Sequence, residues 1–514
     1  MVRTYLMKNV LQIVILGVLD AIAIWIGTSL VVQAHYLMAA LLLIGAAAIN
    51  YIYLAKRAYP MRYLFPGLVF LFAMVVYPIG YSFYISFTNL STGHLLNKQQ
   101  AISQITDRFY TPSDAPSFSY TAFIDSTGKI ALLLYGDDET LLYYHDTLTP
   151  IAASDDRLID EDNDGKPDRF LSYSAMSLAE IIKELPTIES LRIPYNDGTI
   201  RLDTLREFKL SSRRYTYDPQ TDTMNDLQTG TVYRNVEGFY TSDDGDELYP
   251  GFKIWMGLRN YISLVLNPLV SGPFARVFGW TVIFAALSVL TTFALGLFLA
   301  ILLNDPYLKL RRFYRVLVIV PYALPAFISI LIWHGLLTNM GLFNHVLLQL
   351  FHISIPWLEN SFWAKVSILL VNLWLGYPYM MIVSLGALQS IPGELYEAAR
   401  VDGATWRQRF SKITLPLLLM PLAPLLIGSF AFNFNNFTLI WLLTEGGPPI
   451  SARTVAQSTD ILLSYAYRLA FQGARGNQFA LAAAVSVVIF FIIATISAIN
   501  FRLTGALEDL SKNV

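Results

Sequence analysis

Eight long apolar runs most constrain how this 514-residue chain can fold. A helix that crosses a bilayer needs about 20 apolar residues, because the hydrocarbon core is about 30 Å thick. Runs of this length lie near 10–32, 36–54, 64–88, 279–303, 313–337, 366–388, 416–440 and 479–501. The whole chain has a mean hydropathy of +0.47 and only 14% charged residues. Together with the apolar runs, this composition predicts an all-α polytopic membrane protein rather than a soluble one.

Basic residues mark alternate connections between these runs. They precede the first run and follow the second, fourth and eighth: Arg3 and Lys8; Lys56, Arg57 and Arg62; Lys309, Arg311 and Arg312; Arg502 and Lys512. Lys and Arg accumulate on the cytoplasmic side of a membrane. The pattern therefore predicts that both termini are cytoplasmic and that the third helix delivers the chain outward. The net charge of −2 indicates neither nucleic acid nor an acidic ligand as a partner.

The long polar stretch of residues 89–278 predicts a separate external domain. It is rich in Asp, Thr, Tyr and Gly, and short apolar runs such as 129–135 are typical of strands. Its length of about 190 residues is enough for a core of its own. Residues 160–168 match the front half of a calcium loop, but position twelve is Leu171 where an EF-hand has Glu. We expect an acidic solvated turn there and predict no metal site.

Polar residues follow one face of the sixth run and one face of the seventh. Each set has the offsets i, i+3, i+4 and i+7, which share a helix face: Asn372, Leu375, Gly376 and Tyr379 in the sixth, and Ser429, Phe432, Asn433 and Asn436 in the seventh. Amides exchange hydrogen bonds with hydroxyls and aromatic rings pack on the apolar face of a sugar ring, so these stripes suit a neutral sugar. Such residues also hold membrane helices together, and spacing alone leaves both interpretations open.

One ionisable residue, Asp20, falls inside the first run. A charge in the membrane is costly, which makes such a residue a functional candidate. The sequence identifies no partner for it, and we expect a protonated or helix-packed side chain without a role in transport.

The loop between the sixth and seventh runs carries the most specific motif. It reads Glu397, Ala398, Ala399, Arg400, Val401, Asp402, Gly403 and Ala404, followed by Phe410 and by Ile413-Thr414-Leu415-Pro416. This pattern resembles the EAA loop of ABC-importer membrane subunits. Gly257-Leu258-Arg259-Asn260-Tyr261 resembles the entry that precedes the transport core in ABC sugar permeases. The strings 372–381 and 429–437 resemble the MalF type of maltose/maltodextrin importer membrane subunit, a similarity that covers most of residues 55–503.

The resemblance implies a bacterial inner-membrane permease of the type I ABC importer fold with a β-rich periplasmic insertion. The implied domains are 1–62, an N-terminal hairpin; 63–88, the third helix; 89–278, the periplasmic domain; 279–503, the permease core with its coupling loop 389–416; and 504–514, a cytoplasmic tail. The eight stripe residues would contact maltose. Glu397, Ala398, Ala399, Asp402, Gly403 and Ala404 would couple to an ATPase.

The implied partners are a homologous second permease, two ATPase subunits, a periplasmic maltose-binding protein and membrane lipid. The chain has no Walker-type glycine loop and no cysteine, so we expect no catalysis and no cofactor here, with ATP and Mg²⁺ on the ATPase subunits. The alternatives are another oligosaccharide or polyol as cargo, an ion-driven transporter, or a membrane glycosyltransferase. The last two would need an intramembrane carboxylate relay or an acidic cluster at the membrane edge, respectively.

Overall fold

The computed structural model describes residues 2–33, 35–137, 139–152, 155–161, 165–196, 198–305, 307–473 and 476–512. The chain divides into two compact units, Met1–Tyr84 and Ile85–Val514.

The first unit consists of apolar helices. In chain order these are α1 (Val2–Val32), α2 (Tyr36–Leu54), a 3-10 turn (Lys56–Ala58), α3 (Tyr59–Leu71), a π-helical turn (Phe72–Val76) and α4 (Tyr77–Ser86), whose last two residues belong to the second unit. Helices α1 and α2 pack against each other as a hairpin. Most of their large apolar side chains are exposed within the unit, as expected for helices surrounded by lipid.

Asp20 has a partner in this hairpin. The Asn50 side-chain amide donates to the Asp20 carboxyl over 2.7 Å, so each helix contributes one polar group to a single hydrogen bond. Asn50 lies four residues before the end of α2. Asp20 is therefore packed against a second helix through Asn50. Because Asp20 and Asn50 are thirty residues apart in the sequence, local sequence patterns do not pair them.

The chain between α4 and α8 forms a β-rich domain, called the inserted domain below. Its strands are β1 (Phe109–Tyr110), β2 (Ser117–Ile124), β3 (Ile130–Tyr135), β4 (Thr140–Tyr144), β5 (Thr147–Pro150), β6 (Leu158–Ile159), β7 (Arg169–Phe170), β8 (Tyr173–Ala175), β9 (Ile193–Tyr195), β10 (Gly198–Thr204), β11 (Glu207–Arg213), β12 (Tyr215–Asp218), β13 (Thr223–Asp226), β14 (Val232–Val236), β15 (Phe239–Thr241) and β16 (Glu247–Leu248). Three short helices accompany them: α5 (Lys98–Thr106), α6 (Leu178–Lys183) and α7 (Leu185–Ser190).

These strands form two antiparallel sheets. The larger has the order β5-β4-β3-β2-β11-β10-β9, with β1 and β6–β8 attached. Its end strands β5 and β9 contact each other, so it nearly closes into a barrel. Strand β3 is buried on both faces, with Leu132 and Leu134 in one apolar cluster and Ala131 and Leu133 in another. Burial on both faces explains its continuous apolar run. The smaller sheet is the meander β12–β16.

The two connections between the inserted domain and the helices bind each other. Asn260 donates from its side-chain amide to the carbonyls of Ser86 and Thr88, both over 2.8 Å. The hydroxyls of Tyr261 and Ser86 are 2.6 Å apart. Gly257 has a φ of +58°, which favours glycine. The Gly-Leu-Arg-Asn-Tyr string therefore closes the domain at its base.

The remaining helices carry the membrane core of the second unit. They are α8 (Arg259–Leu266), α9 (Pro268–Asn304), α10 (Arg311–Ala323), α11 (Ala326–Leu337), α12 (Leu342–Phe351), α13 (Ser361–Gln389), α14 (Gly393–Val401), α15 (Trp406–Arg409), a π-helical turn (Phe410–Thr414), α16 (Leu415–Phe434), α17 (Phe437–Thr444), α18 (Leu462–Phe471) and α19 (Phe479–Lys512).

Within the described ranges, eight helical segments are long and apolar enough to cross a membrane, which confirms the predicted fold class. Two membrane helices begin earlier than their apolar runs, because asparagines cap them. Asn267 accepts from the Leu269 amide at the start of α9, and Asn360 accepts from the Phe362 and Trp363 amides at the start of α13.

Two predicted spans are not single helices. The fifth, 313–337, divides between α10 and α11, because Leu324 precedes Pro325 and adopts extended backbone (ψ 139°). The apolar segment there is instead Ala326–Phe351. The seventh, 416–440, ends at Phe434, and a separate helix α17 starts at Phe437.

Arg214 and Asp226 form a partly buried ion pair in the inserted domain. The Asp226 side chain is fully buried, and Arg214 Nη2 lies 2.9 Å from its carboxylate. Burial works against ionisation of Asp226, but hydrogen bonds from Arg214 and from the Gln228 amide hold its pKa below the ordinary value.

We predict that Arg214→Met destabilises the inserted domain by about 3 kcal/mol at pH 7, because it leaves a buried carboxylate unpaired. Asp226 in the wild type has a depressed pKa, so its contribution is present at neutral pH and is lost as the pH falls through that pKa. In the variant its pKa is raised, so lowering the pH from 7 to 5 restores stability. Thermal proteolysis of the purified protein measures both effects. The control is Lys209→Met at the more exposed pair with Asp203, where about 1 kcal/mol or less is expected. Equal losses in the two variants would contradict the prediction.

Candidate functional site

A cavity of about 970 Å³ opens among the membrane helices of the second unit. All eight residues predicted from the two stripes line it: Asn372, Leu375, Gly376, Tyr379, Ser429, Phe432, Asn433 and Asn436. The residues that line it include no Asp, Glu, Lys or Arg. The structure therefore brings both stripes into one uncharged space.

Helix α13 supplies the first wall. Asn372 is 5% exposed, yet it lines the cavity. A Cβ on Gly376 would approach Thr292 of α9 to 2.8 Å, so this glycine is required for close packing of the two helices. Pro378 lies inside α13, and Tyr377 beside it donates its hydroxyl to the Val318 carbonyl of α10 over 3.1 Å.

Helix α16 and the break after it supply the second wall. Ser429, Phe432 and Asn433 lie within α16, whereas Asn436 lies beyond its end. The prediction that all four share one helix face is therefore wrong for Asn436. Its side chain instead caps α17 by accepting from the Leu439 amide over 3.3 Å. An asparagine can leave a helix readily because its side chain replaces a lost backbone partner.

The cavity has a third wall that the sequence analysis did not predict. It comes from the break between α10 and α11, where Pro321, Tyr322, Leu324 and Ala326 line the cavity. Thr438 and Leu439 of α17 add to the lining. The pair Pro321 and Pro325 within one apolar run is the signal that indicates such a break, because irregular backbone at membrane depth is tolerated beside a cavity.

Several polar groups of the cavity lining have unused hydrogen-bonding capacity. The side-chain oxygens of Asn433 and Asn435 are buried and accept no hydrogen bond within the described protein. The Asn433 amide is already committed to the Ser429 carbonyl at 2.8 Å. Phe432, by contrast, is 69% exposed. The exposed aromatic ring and the amide and hydroxyl groups of the lining can together recognise a ligand with hydroxyl groups and an apolar face.

The loop predicted to couple to an ATPase is a separate surface. Glu397, Ala398 and Ala399 lie on α14, and Asp402, Gly403 and Ala404 form the turn that ends it. Gly403 has a φ of +78°, and its amide donates to the Arg400 carbonyl over 3.1 Å. Val401 is 87% exposed. The short helix and its glycine turn form a protruding surface with small side chains.

The acidic turn at 160–168 is only partly described. Asp162, Asn163 and Asp164 lie outside the described residues. Asp160 accepts from the Gly165 amide over 2.9 Å, and Asp168 accepts from the Glu161 amide over 2.8 Å. Within the part of the chain that the structure describes, no group of three or more His, Asp or Glu side chains is arranged to hold a metal ion.

Comparisons with known proteins assign the family. Residues 292–505 match the family described as the binding-protein-dependent transport system inner membrane component. Residues 69–144 match the N-terminal region of the membrane subunit in such ABC transporters. A solved bacterial ABC transporter involved in the import of the acidic polysaccharide alginate is 28% identical, with a TM-score of 0.41 over 49% of this chain and 85% of that chain.

Two curated relatives match nearly the whole chain, and both are named maltose/maltodextrin transport system permease protein MalF. The relative from Vibrio vulnificus is 38% identical over 477 residues, which are 91% of this chain and 89% of that protein. The relative from Salmonella typhimurium is 36% identical over 506 residues, which are 95% and 96% of the two chains. The chain therefore belongs to the MalF family of binding-protein-dependent transport permeases, which are multi-pass proteins of the inner membrane.

Proposed function

We propose that this chain is the permease subunit of an ATP-driven importer of maltose and maltodextrins. The observation that carries the proposal is the convergence of eight separately predicted residues on one uncharged cavity. An ion, a phosphate or a charged amino acid would leave its charge unpaired in such a lining, which is costly. A neutral sugar needs only the amide, hydroxyl and aromatic groups that are present.

The working cycle needs other proteins. A periplasmic binding protein delivers the sugar, a homologous permease completes the path, and two ATPase subunits bind ATP and Mg²⁺. Residues 89–278 face the periplasm and both termini face the cytoplasm, because the basic connections favour that orientation. The α14 turn then docks into the ATPase, whose closure moves the helices between inward- and outward-facing states. The permease itself breaks no bond in the sugar and has no catalytic residue.

Reconstitution of the complete complex tests the cargo. We expect maltose and maltotriose, presented with the binding protein, to be taken up into proteoliposomes and to raise ATPase activity. A polyol or another oligosaccharide that performs better than maltose would replace the proposed cargo. Uptake that follows an ion gradient without ATP would contradict the proposal as a whole.

Asn372→Ala should weaken sugar retention without affecting assembly. Asn372 lines the cavity, and loss of one hydrogen bond of about 1.4 kcal/mol lowers the affinity roughly tenfold. The measurement is retention of labelled maltose by the complex trapped with ADP and vanadate after ATP hydrolysis. The control is Thr495→Ala, which removes an intramembrane hydroxyl that bonds within its own helix and does not line the cavity. Equal retention by the two variants would contradict the sugar role of Asn372.

Gly403→Val should uncouple ATP hydrolysis from uptake. Valine at a φ of +78° costs about 1–2 kcal/mol and distorts the turn that follows α14. We expect sugar uptake to fall at least about fivefold at unchanged sugar retention, since about 1 kcal/mol corresponds to that factor. Gly393→Val is the control, because Gly393 is at the other end of α14 with open space and no positive φ. Normal coupled uptake by Gly403→Val would exclude the coupling role of this turn.

A further inference from the structure

A buried ion pair lies in the segment between α17 and α19, outside the eight apolar spans. Asp460 is fully buried and Arg468 is 9% exposed, and Arg468 Nε lies 3.3 Å from the Asp460 carboxylate. The carboxylate also accepts from the Gln457 amide at 2.7 Å and from the Ser464 hydroxyl at 2.8 Å. Neither residue belongs to the cavity lining or to the coupling loop.

The remaining donors of Arg468 reach the end of α17. Nη1 donates to the Gln472 side chain over 2.6 Å, and Nη2 donates to the carbonyl of Glu445, the residue that caps α17. The guanidinium also lies over the Trp441 ring of α17, 5.3 Å from its centroid. Arg468 thus satisfies a backbone carbonyl at a helix C-terminus, where a cation is favoured.

The same segment is anchored to α9. Trp280 donates from its indole nitrogen to the Thr459 carbonyl over 3.2 Å, and the Leu462 amide donates to the Thr281 hydroxyl over 3.0 Å. Helix α9 packs extensively against α13, so these two hydrogen bonds attach the segment to the membrane core. The ion pair connects the segment to α17.

Helix α17 is short and carries part of the cavity wall. Phe437, Thr438 and Leu439 line the cavity, and Asn436 caps the helix at its start. Trp441 stacks on Phe437 with ring centroids 5.3 Å apart. A break in the helix precedes α17, so its direction is not set by α16. Its sides pack against α11 and α13, and the contacts of Arg468 at its far end add to this packing.

Asp460 and Arg468 pack closely against Gly446, just beyond the end of α17. It follows Glu445 with a φ of +78°, and a Cβ there would collide with the Asp460 carboxylate and approach Arg468 to 3.0 Å. A buried pair of this kind is weak evidence for a role in stability, because apolar residues of similar volume are often as stable.

We infer that Asp460 and Arg468 are positioning residues for the sugar cavity, which hold α17 and with it Asn436 and Phe437 against the substrate. The inference rests on the proposed function. A displacement of α17 removes contacts to sugar without changing any residue that touches it.

The double variant Asp460→Leu/Arg468→Met separates positioning from stability. It leaves no unpaired buried charge, so we expect the complex to assemble, with a lowered thermal stability because the Glu445 carbonyl and the Gln457 amide each lose a partner. We also expect the concentration of labelled maltose for half-maximal retention by the vanadate-held complex to rise about tenfold, the effect of one lost hydrogen bond. Hydrogen exchange should increase within 437–444. The control is Arg453→Met, which removes an exposed guanidinium from the same segment and should change neither measurement.

Unchanged retention in the double variant would overturn the inference, because a merely structural pair is replaced by apolar packing. If that variant does not assemble, Arg468→Lys decides the question. Its ammonium keeps the charge next to Asp460 but cannot reach Gln472, Glu445 and the Trp441 face together. The same tenfold weakening is expected, and wild-type retention by Arg468→Lys would overturn the inference.

Asn372→Ala distinguishes failure of the positioning role from failure of the proposed function. If it weakens retention while the double variant and Arg468→Lys do not, the positioning role fails and the proposed function stands. If none of the variants changes retention, the cavity does not hold the sugar, and both the proposed function and the inference fail.

Discussion

The structure depends on one constraint: the hydrocarbon layer of a membrane offers no hydrogen-bond partner to a protein. Each backbone group within the eight spans must therefore be satisfied by the helix itself, and each polar side chain needs a partner within the protein. Asp20 satisfies this requirement with Asn50. The polar residues that do not satisfy it within the described protein are informative, and Asn433 and Asn435 of the cavity lining are among them.

The same constraint explains where the helices break. Extended backbone at Leu324, between α10 and α11, lies at the cavity, and so do Asn435 and Asn436 between α16 and α17. Irregular backbone at membrane depth is tolerated where it lines a cavity instead of facing lipid. Each break also exposes side chains that a straight helix would point elsewhere. The breaks therefore form the cavity as well as interrupting the spans.

Once a helix is broken, its short end piece needs support from outside the span. Helix α17 has eight residues, too few to be stable alone. Its support comes from packing against α11 and α13, and from Arg468 and Asp460 in the following segment, which is tied to α9 through Trp280 and Thr281. The inserted domain is secured in a comparable way, because Asn260 and Tyr261 bind the residues that lead into it. In both cases, buried polar groups hold together segments that are distant in sequence.

Local composition predicted the membrane spans and the inserted domain, because both signals act over short stretches of chain. The eight cavity residues came from their spacing together with the family resemblance, since spacing alone left a role in helix packing open. Two helix predictions were wrong: Asn436 lies beyond the end of its predicted helix, and residues 313–337 are divided between two helices. The sequence is ambiguous at both places, because asparagine and proline occur in continuous as well as in broken helices. Whether the break occurs depends on the cavity beside it.

Partners that are far apart in the sequence are set by the tertiary structure. Asp20 and Asn50 are thirty residues apart, and Thr281 and Leu462 are 181 apart. The wall formed by Tyr322 and Leu324, and the hold of Arg468 on α17, likewise arise from separate helices meeting in space. No local pattern encodes these pairings, because a hydrogen bond or a packing contact depends on the position of both partners after the helices have assembled.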